Sequence, residues 1–426
     1  MFTLPLEGPS AEVLTIGDEL CRGEIVDESS TWLSERLTGL GLHVRWRSST
    51  TDEAGDLEAA LRLAATRSRV VLCSGGLGPT EDDRTVDAVA RVLGVSAVSE
   101  ETHRTRMEAL LSGQGLEVTP NSLRQVRVPS GAEVLENRAG LAPGFHVRLG
   151  GADLFVLPGV PREMRRIVEE EVEPRLRRLL GSSAVAARRR WRVAAMAESH
   201  VDHRLRGLLD GVPGATLHFR LAFPENLVTV AVWRSSVEEA EAVLSRLDGE
   251  VRARLGDHVY GTGDQTLPEL IGARLRERRE TLATAESCTG GLAGDLLTDV
   301  PGASDYYVGG ICSYNDEAKR MVLGVSEATL LSEGAVSEGC VREMADGARR
   351  LLGTTWAVAI SGIAGPGGGS RDKPVGLVHF AVAGPPGTEA RHLLWPSERR
   401  LVKQLSAFAA LYLLHRQLSR PAGSAS

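Results

Sequence analysis

The chain has 426 residues, too many for one ordinary core, so two or three domains are expected. Its 49 basic and 56 acidic residues leave a formal charge of −7, which argues against nucleic acid as the main partner. Five scattered cysteines without CxxC spacing read as reduced thiols, Met1 to Ser10 lacks the basic start and apolar run of a leader, and the longest apolar run, 407–414, is too short to span a bilayer; the expectation is a soluble, cytoplasmic protein with no membrane partner.

Taken in order, residues 11–16 read as a buried strand ending in Gly17-Asp18-Glu19-Leu20, and Leu33, Leu37 and Leu40 mark one helix face. A strand at 43–48, a helix through Leu57 and Leu61, and an apolar strand at 70–74 follow, the last ending in Gly75-Gly76-Leu77-Gly78-Pro79-Thr80. Repeated strand-helix-strand order predicts a parallel sheet, whose ligands sit at the carboxyl ends of its strands. Asp18 and the 75–85 loop are therefore expected to share one crevice. There Gly75, Gly76 and Gly78 can offer amides to a phosphate, Thr80 adds a hydroxyl, and Asp82 and Asp83 can hold a divalent cation. The plainer alternative is ordinary capping of a helix start, for Asp18 and Glu19 as well. Beyond this, 137–145 reads as a turn-rich loop, 154–157 as a strand and Glu163 to Glu170 as a solvated helix face. A domain boundary is placed in the charge-rich stretch 174–190, at Gly181-Ser182-Ser183.

Residues 191–260 predict a small α+β module, with strands near 192–196 and 227–233 and helices through Val201, Leu205 and Leu208 and through Val243, Leu247 and Val251. Its Gly211-Val212-Pro213-Gly214 is a formal GxxG of the kind KH domains use on a nucleic-acid backbone, but it carries no charge and Pro213 removes a donor, so nucleic acid is disfavoured.

After a hinge at Gly261–Asp264, a third unit opens with a helix through Leu267, Ile271 and Leu275 and reaches the stretch Thr284-Ala285-Glu286-Ser287-Cys288-Thr289-Gly290-Gly291. A short β-like run precedes it and a helix-like run follows, which places Ser287 on a strand-to-helix turn beside amides that suit an anion or an oxyanion. Gly290 and Gly291 allow close approach of a ligand. A serine needs a base. No His stands nearby, but Asn315 is a plausible helix cap that puts Lys319 in the first turn, where burial and the helix dipole disfavour its ammonium form. A helix through Val341, Met344 and Ala348 and a strand at 356–360 lead to a second glycine loop, Ser361 to Gly369, including Gly362 and Gly365. A strand at 377–382 and a helix through Leu401, Leu405 and Phe408 close the fold, and the tail from Arg420 is expected to be disordered.

These stretches together resemble the CinA family from Val13 to about Leu418. The first domain, 1–180, resembles the molybdopterin-binding three-layer fold through Gly17 to Leu20, Gly75 to Thr80, Asp82-Asp83 and Leu157-Pro158-Gly159. The middle module, 188–260, is KH-like, and 264–420 resembles the α/β domain of nicotinamide mononucleotide deamidases through Ala285 to Gly291, Ser313-Tyr314, Lys319, Gly362 to Pro366 and Lys373 to Gly376. The resemblance implies hydrolysis of nicotinamide mononucleotide to nicotinic acid mononucleotide and ammonia, with no cofactor in that domain. It also implies a metal-dependent ADP-ribose pyrophosphatase in the first domain, the metal's identity being open, and a homodimer. On this reading Ser287 attacks and Lys319 is the base, Glu286 and Tyr314 orient the pair or bind substrate, and Thr289, Gly290, Gly291 and the Ser361 loop bind substrate. Ser361, Ala197 and Asp18 stand where the family usually has Thr, Gly and, in many members, Asn. Three alternatives stay open from the residues alone: Ser287 as a mere cap with Lys319 on the surface, Cys288 as the nucleophile, and a pterin- or nucleotide-binding scaffold without turnover.

Overall fold

A computed structural model describes residues 9–180 and 185–420. The chain packs as two compact units, one of Met1–Arg188 with Leu209–Thr216 and Ala231–Leu247, the other of Arg189–Leu208, Leu217–Val230 and Asp248–Ser426. The boundary expected at Gly181–Ser183 and the tail beyond Arg420 lie outside the described residues.

In the first unit, β1 (Ser10–Ile16) is buried from Ala11 onward, as a central strand of a parallel sheet must be. Alternate residues serve opposite faces. Ala11 and Val13 meet Leu33, Leu37, Met164 and Ile167, whereas Leu14 and Ile16 meet Leu57, Leu61, Val86 and Val89. Helices thus cover both faces and give the three-layer fold. The other strands are β2 (His43–Thr50), β3 (Val70–Ser74), a small pair β4 (Ala97–Ser99) and β5 (Arg127–Pro129), and β6 (Glu133–Leu135), β7 (Gly144–Leu149) and β8 (Ala152–Leu157), with sheet order β2-β1-β3-β8-β7-β6. β2, β1, β3 and β8 run parallel, as expected; β7 and β6 are antiparallel additions. The loop expected over 137–145 already becomes β7 at Gly144. Its organiser is the buried Asn137, whose Oδ1 accepts from the amides of Ala139 and Gly140 and whose Nδ2 donates to the Ala142 carbonyl and Glu163.

The middle module contains β9 (Val185–Val193), β10 (Ala215–Ala222), β11 (Glu225–Arg234) and β12 (Val259–Thr262) in the order β10-β11-β9-β12, and the division into units runs through it. The Gly211–Gly214 turn, with φ +73° and +63° at its two glycines, feeds β10; the Trp233 amide donates to the Gly214 carbonyl.

The C-terminal sheet has the order β14-β13-β15-β16-β17, from β13 (Leu282–Glu286), β14 (Tyr307–Cys312), β15 (Trp356–Gly362), β16 (Leu377–Gly384) and β17 (Gly387–Leu394). β14, β13 and β15 are parallel, while β16 and β17 are antiparallel. Its two faces differ in side-chain size. Ala283, Ala285, Ala357, Ala359, Ala381 and Ala383 face the helix Glu338–Leu352, which packs with Val341, Met344 and Ala348. Val358, Ile360, Val378 and Val382 face the helices Leu267–Arg278 and Arg399–Ser419. The apolar run 407–414 lies inside this last helix, and among the described residues no helix is long and apolar enough to cross a membrane.

Candidate active site

The sheet ladder continues one residue past β13: the Ser287 amide donates to the Ile360 carbonyl at 2.9 Å and the Ser313 amide to the Glu286 carbonyl at 2.8 Å. Ser287 is thereby fixed between the carboxyl ends of its two neighbouring strands. The chain then turns through Gly290 and Gly291 at φ +63° and +97°, a region that costs residues with a Cβ about 1–2 kcal/mol, and enters the helix Leu292–Thr298. Glu286, fully buried, reaches across this turn. Its carboxylate accepts from the amides of Gly291, Ala293 and Gly294 at 3.1, 3.0 and 2.9 Å. The amides expected to receive an anion at this helix start are therefore already occupied, and Glu286 is a positioning residue of the turn. Among the described residues the amides of Cys288 and Thr289, directly after Ser287, have no backbone acceptor, and these are the donors left for an oxyanion.

Lys319 arrives from a different element. Asn315 Oδ1 accepts from the Ala318 amide at 2.8 Å, capping the short helix Asp316–Ala318, and a π-helical turn, Lys319–Leu323, follows. Such turns recur at functional positions. The Lys319 Nζ lies 3.1 Å from Ser287 Oγ and 3.0 Å from the Ser313 carbonyl oxygen, with the Asp316 carboxylate 4.0 Å away. Only 1% of the lysine is exposed. Burial, the dominant influence, pushes its pKa below the ordinary lysine value against weaker opposing pulls from Cys340, Asp316 and Cys288. Burial has the opposite sign for the Cys288 thiol, which is pushed up to about 11 and so stays protonated at neutral pH. The hydroxyls of Thr289 and Ser313 are buried without a protein hydrogen-bond partner among the described residues, an arrangement that leaves capacity for a bound molecule.

The remaining residues expected in this site form its rim. Tyr314 is 64% exposed, and its hydroxyl accepts from Arg399 Nη2 at 2.7 Å; Arg399 Nη1 also donates to the Gly365 carbonyl at 2.7 Å. The Ser361 hydroxyl is buried and donates to the Ala335 carbonyl at 2.6 Å, so it ties the 333–337 segment to the end of β15. Gly362 is closed in by Val378, and Gly365, at φ +81°, by Val375. Lys373 donates to the Glu333 carbonyl. Arg399, Arg400 and Lys403 line a cavity of about 490 Å³ with Leu292 and Gln404, and a Cβ on Gly290 would stand 3.9 Å from Lys403 Nζ. The serine turn thus opens beside a cationic surface.

At the carboxyl end of the N-terminal sheet, the Gly75 turn packs against the end of β1, two residues before Asp18. A Cβ on Gly75 would strike the Ile16 carbonyl, one on Gly76 the Thr85 hydroxyl, and one on Gly78 the Asp83 carboxylate, so backbone packing accounts for all three glycines. Asp18 and Asp52 exchange amide-to-carboxylate bonds of 3.0 and 3.3 Å, and Arg22 pairs with Asp18. The Asp52 pKa is raised, first by burial and then by nearby carboxylates including Asp18 and Asp82. Asp83 accepts from the Thr80 amide and hydroxyl at 2.8 and 2.5 Å. Among the described residues no group of three or more His, Cys, Asp or Glu side chains can hold a metal ion. Asp82 and Asp83, expected as ligands, do not fit that role in this arrangement, because Asp83 is turned into its own loop.

Family models match three consecutive stretches: a probable molybdopterin binding domain over 12–178, the damage-inducible protein CinA KH domain over 188–261, and the CinA C-terminal domain over 264–418. A CinA-like protein of Anaeromyxobacter sp. (strain Fw109-5) is 45% identical over 95% of this chain and 98% of its own length. The chain belongs to the CinA family. A CinA-like protein of Geobacter sulfurreducens is 39% identical over 95% of this chain and 98% of its own. Among solved structures, the competence/damage inducible protein CihA from Agrobacterium tumefaciens is 36% identical, covering 37% of this chain and 98% of its own, with a TM-score of 0.35. In this CinA-family chain, sequence reasoning missed Arg399, Arg400, Lys403 and Asp52. The first three had one legible signal, a cluster of cations opening the closing helix; Asp52 had none beyond following a strand.

Proposed function

We propose that the C-terminal unit hydrolyses the carboxamide of nicotinamide mononucleotide to nicotinic acid mononucleotide and ammonia. The observation that carries this reading is the buried Lys319 Nζ–Ser287 Oγ contact of 3.1 Å. Burial disfavours the ammonium form of the lysine, and in its neutral form the same contact runs from the serine O–H to the nitrogen lone pair. Ser287 Oγ bonds to the carboxamide carbon as its proton passes to Nζ. The amides of Cys288 and Thr289 receive the developing oxyanion. Collapse breaks the C–N bond, Lys319 returns the proton to departing ammonia, and an ester on Ser287 remains. Water, deprotonated by the same amine, then attacks the ester carbon; the C–Oγ bond breaks, Lys319 returns the proton to Ser287 Oγ, and the acid leaves. The substrate phosphate suits Arg399, Arg400 and Lys403.

The test is turnover of nicotinamide mononucleotide by the full chain, following ammonia and the acid nucleotide together. Equimolar release of both supports the reading, and no release of either defeats it. For the N-terminal unit we propose ADP-ribose as a ligand at the carboxyl ends of the parallel strands β1 and β3, favoured by Asp18 and the glycine turn that follow them. Among the described residues the side chains there do not assemble a metal site, so the assignment is to binding alone. Protection of this unit by ADP-ribose in hydrogen exchange supports the assignment; unchanged exchange counts against it.

A further inference from the structure

Beyond Leu292 and Gln404, which also line the cationic cavity, lies a second cavity of about 240 Å³. Its walls are mainly apolar: Phe223 and Pro224 from the β10–β11 hairpin, Leu267 and Pro268, and Phe408 with Leu411 of the closing helix. Phe223 stacks on Trp395 at 5.3 Å, and Phe408 lies against Tyr412 and, edge to face, against Tyr260. Its polar lining is Thr266, Gln404 and one charged group, Glu225, whose carboxylate is held by Arg192 at 2.5 Å and by the Tyr260 hydroxyl. A carboxylate offers about four acceptor positions, so two bonds leave capacity for a further donor.

The two cavities share one ruler. Arg400, Gln404 and Phe408 follow each other at four-residue spacing on the closing helix, so Phe408 lies about 12 Å along the axis from Arg400. A cation cluster that suits phosphate is thus followed, two turns on, by an aromatic pocket that holds a carboxylate acceptor. That order matches a phosphate, a sugar and a flat base carrying an amino group.

We propose that this second cavity binds the purine nucleoside half of a dinucleotide whose pyrophosphate rests on Arg399, Arg400 and Lys403, so that the Ser287 site accepts nicotinamide adenine dinucleotides as well as the mononucleotide. The inference rests on the amidase reading and extends its substrate class; the bond cleaved and the atoms moved at the carboxamide are the same.

Calorimetric titration of the full chain with nicotinamide adenine dinucleotide and with nicotinamide mononucleotide tests it, for wild type, Ala222→Trp, which fills the cavity from the hairpin, and Phe408→Leu, which keeps the helix core apolar. The expected result is that the two nucleotides compete and that Ala222→Trp lowers the dinucleotide-to-mononucleotide affinity ratio tenfold or more, with a smaller fall for Phe408→Leu. A ratio unmoved in both variants, or adenosine monophosphate binding without competing against the dinucleotide, overturns the proposal. Because binding is the readout, absence of ammonia release from either nucleotide would refute the amidase reading alone, while an unmoved ratio would refute the cavity's role alone.

Discussion

The two parallel-sheet edges of this chain meet the same topological rule with opposite electrostatics. At the C-terminal edge a lysine amine is buried beside a hydroxyl, and two buried hydroxyls are left without protein partners and two amides without backbone acceptors among the described residues. At the N-terminal edge the carboxylates are engaged with Thr80, Arg22 and each other's backbone, and the glycines serve packing. Unsatisfied polar groups and a depressed lysine are the marks of a site prepared for a ligand; satisfied ones are the marks of a stable turn. The comparison teaches that a glycine-rich strand end is weak evidence of function until its polar groups are accounted for.

The sharpest way to break that contrast is at the pair itself. Ser287→Ala and Lys319→Ala should each lower kcat for ammonia release on the order of 10³-fold or more, and the double variant should be little worse than either, because the two groups act as a unit. Additive losses in that cycle would mean that the two residues act separately. Next in size is Glu286→Gln. Glutamine keeps only one of the two acceptor oxygens, so at least one of the three amide bonds is lost and the rest lose their charge assistance; stability should fall by about 2 kcal/mol in denaturant titration and activity about tenfold as the turn loosens. Unchanged stability would show that the helix start is held by something else.

Much of this was legible in the sequence, and the reasons for the rest are physical. β13, its turn and the glycines at positive φ follow from a short apolar run ending in Glu-Ser and Gly-Gly, a pattern set by local chemistry. β14 escaped because Gly309 and Gly310 interrupt it and alternate residues are exposed at the sheet edge. Arg399 escaped because its partners, Gly365 and Tyr314, are brought to it only by the tertiary fold. Glu286 was legible as a site residue, but its task, occupying the amides assigned to the substrate, depends on a side-chain direction that no sequence pattern carries.

A third prediction concerns pH. As a base Lys319 must be neutral, so kcat/KM should rise with pH through an apparent value below the ordinary lysine value of about 10.4. The unfolded chain binds that proton more readily than the folded one, so between the depressed folded value and the unfolded value stability should climb with pH. Lys319→Met should flatten that climb. A rate limb centred at the ordinary lysine value would contradict the buried, neutral amine. Smallest of all should be Cys288→Ala, within about threefold of wild type, since a thiol held near 11 supplies little nucleophile at neutral pH. Loss of turnover in that variant would move the chemistry from oxygen to sulfur.

A covalent ester on Ser287 is tested most directly by trapping it with hydroxylamine during turnover of nicotinamide mononucleotide. The expected product is a hydroxamate whose share rises with hydroxylamine concentration and which disappears, together with ammonia release, in Ser287→Ala. Ammonia release that yields only the free acid at every hydroxylamine concentration, and that persists in Ser287→Ala, would contradict it.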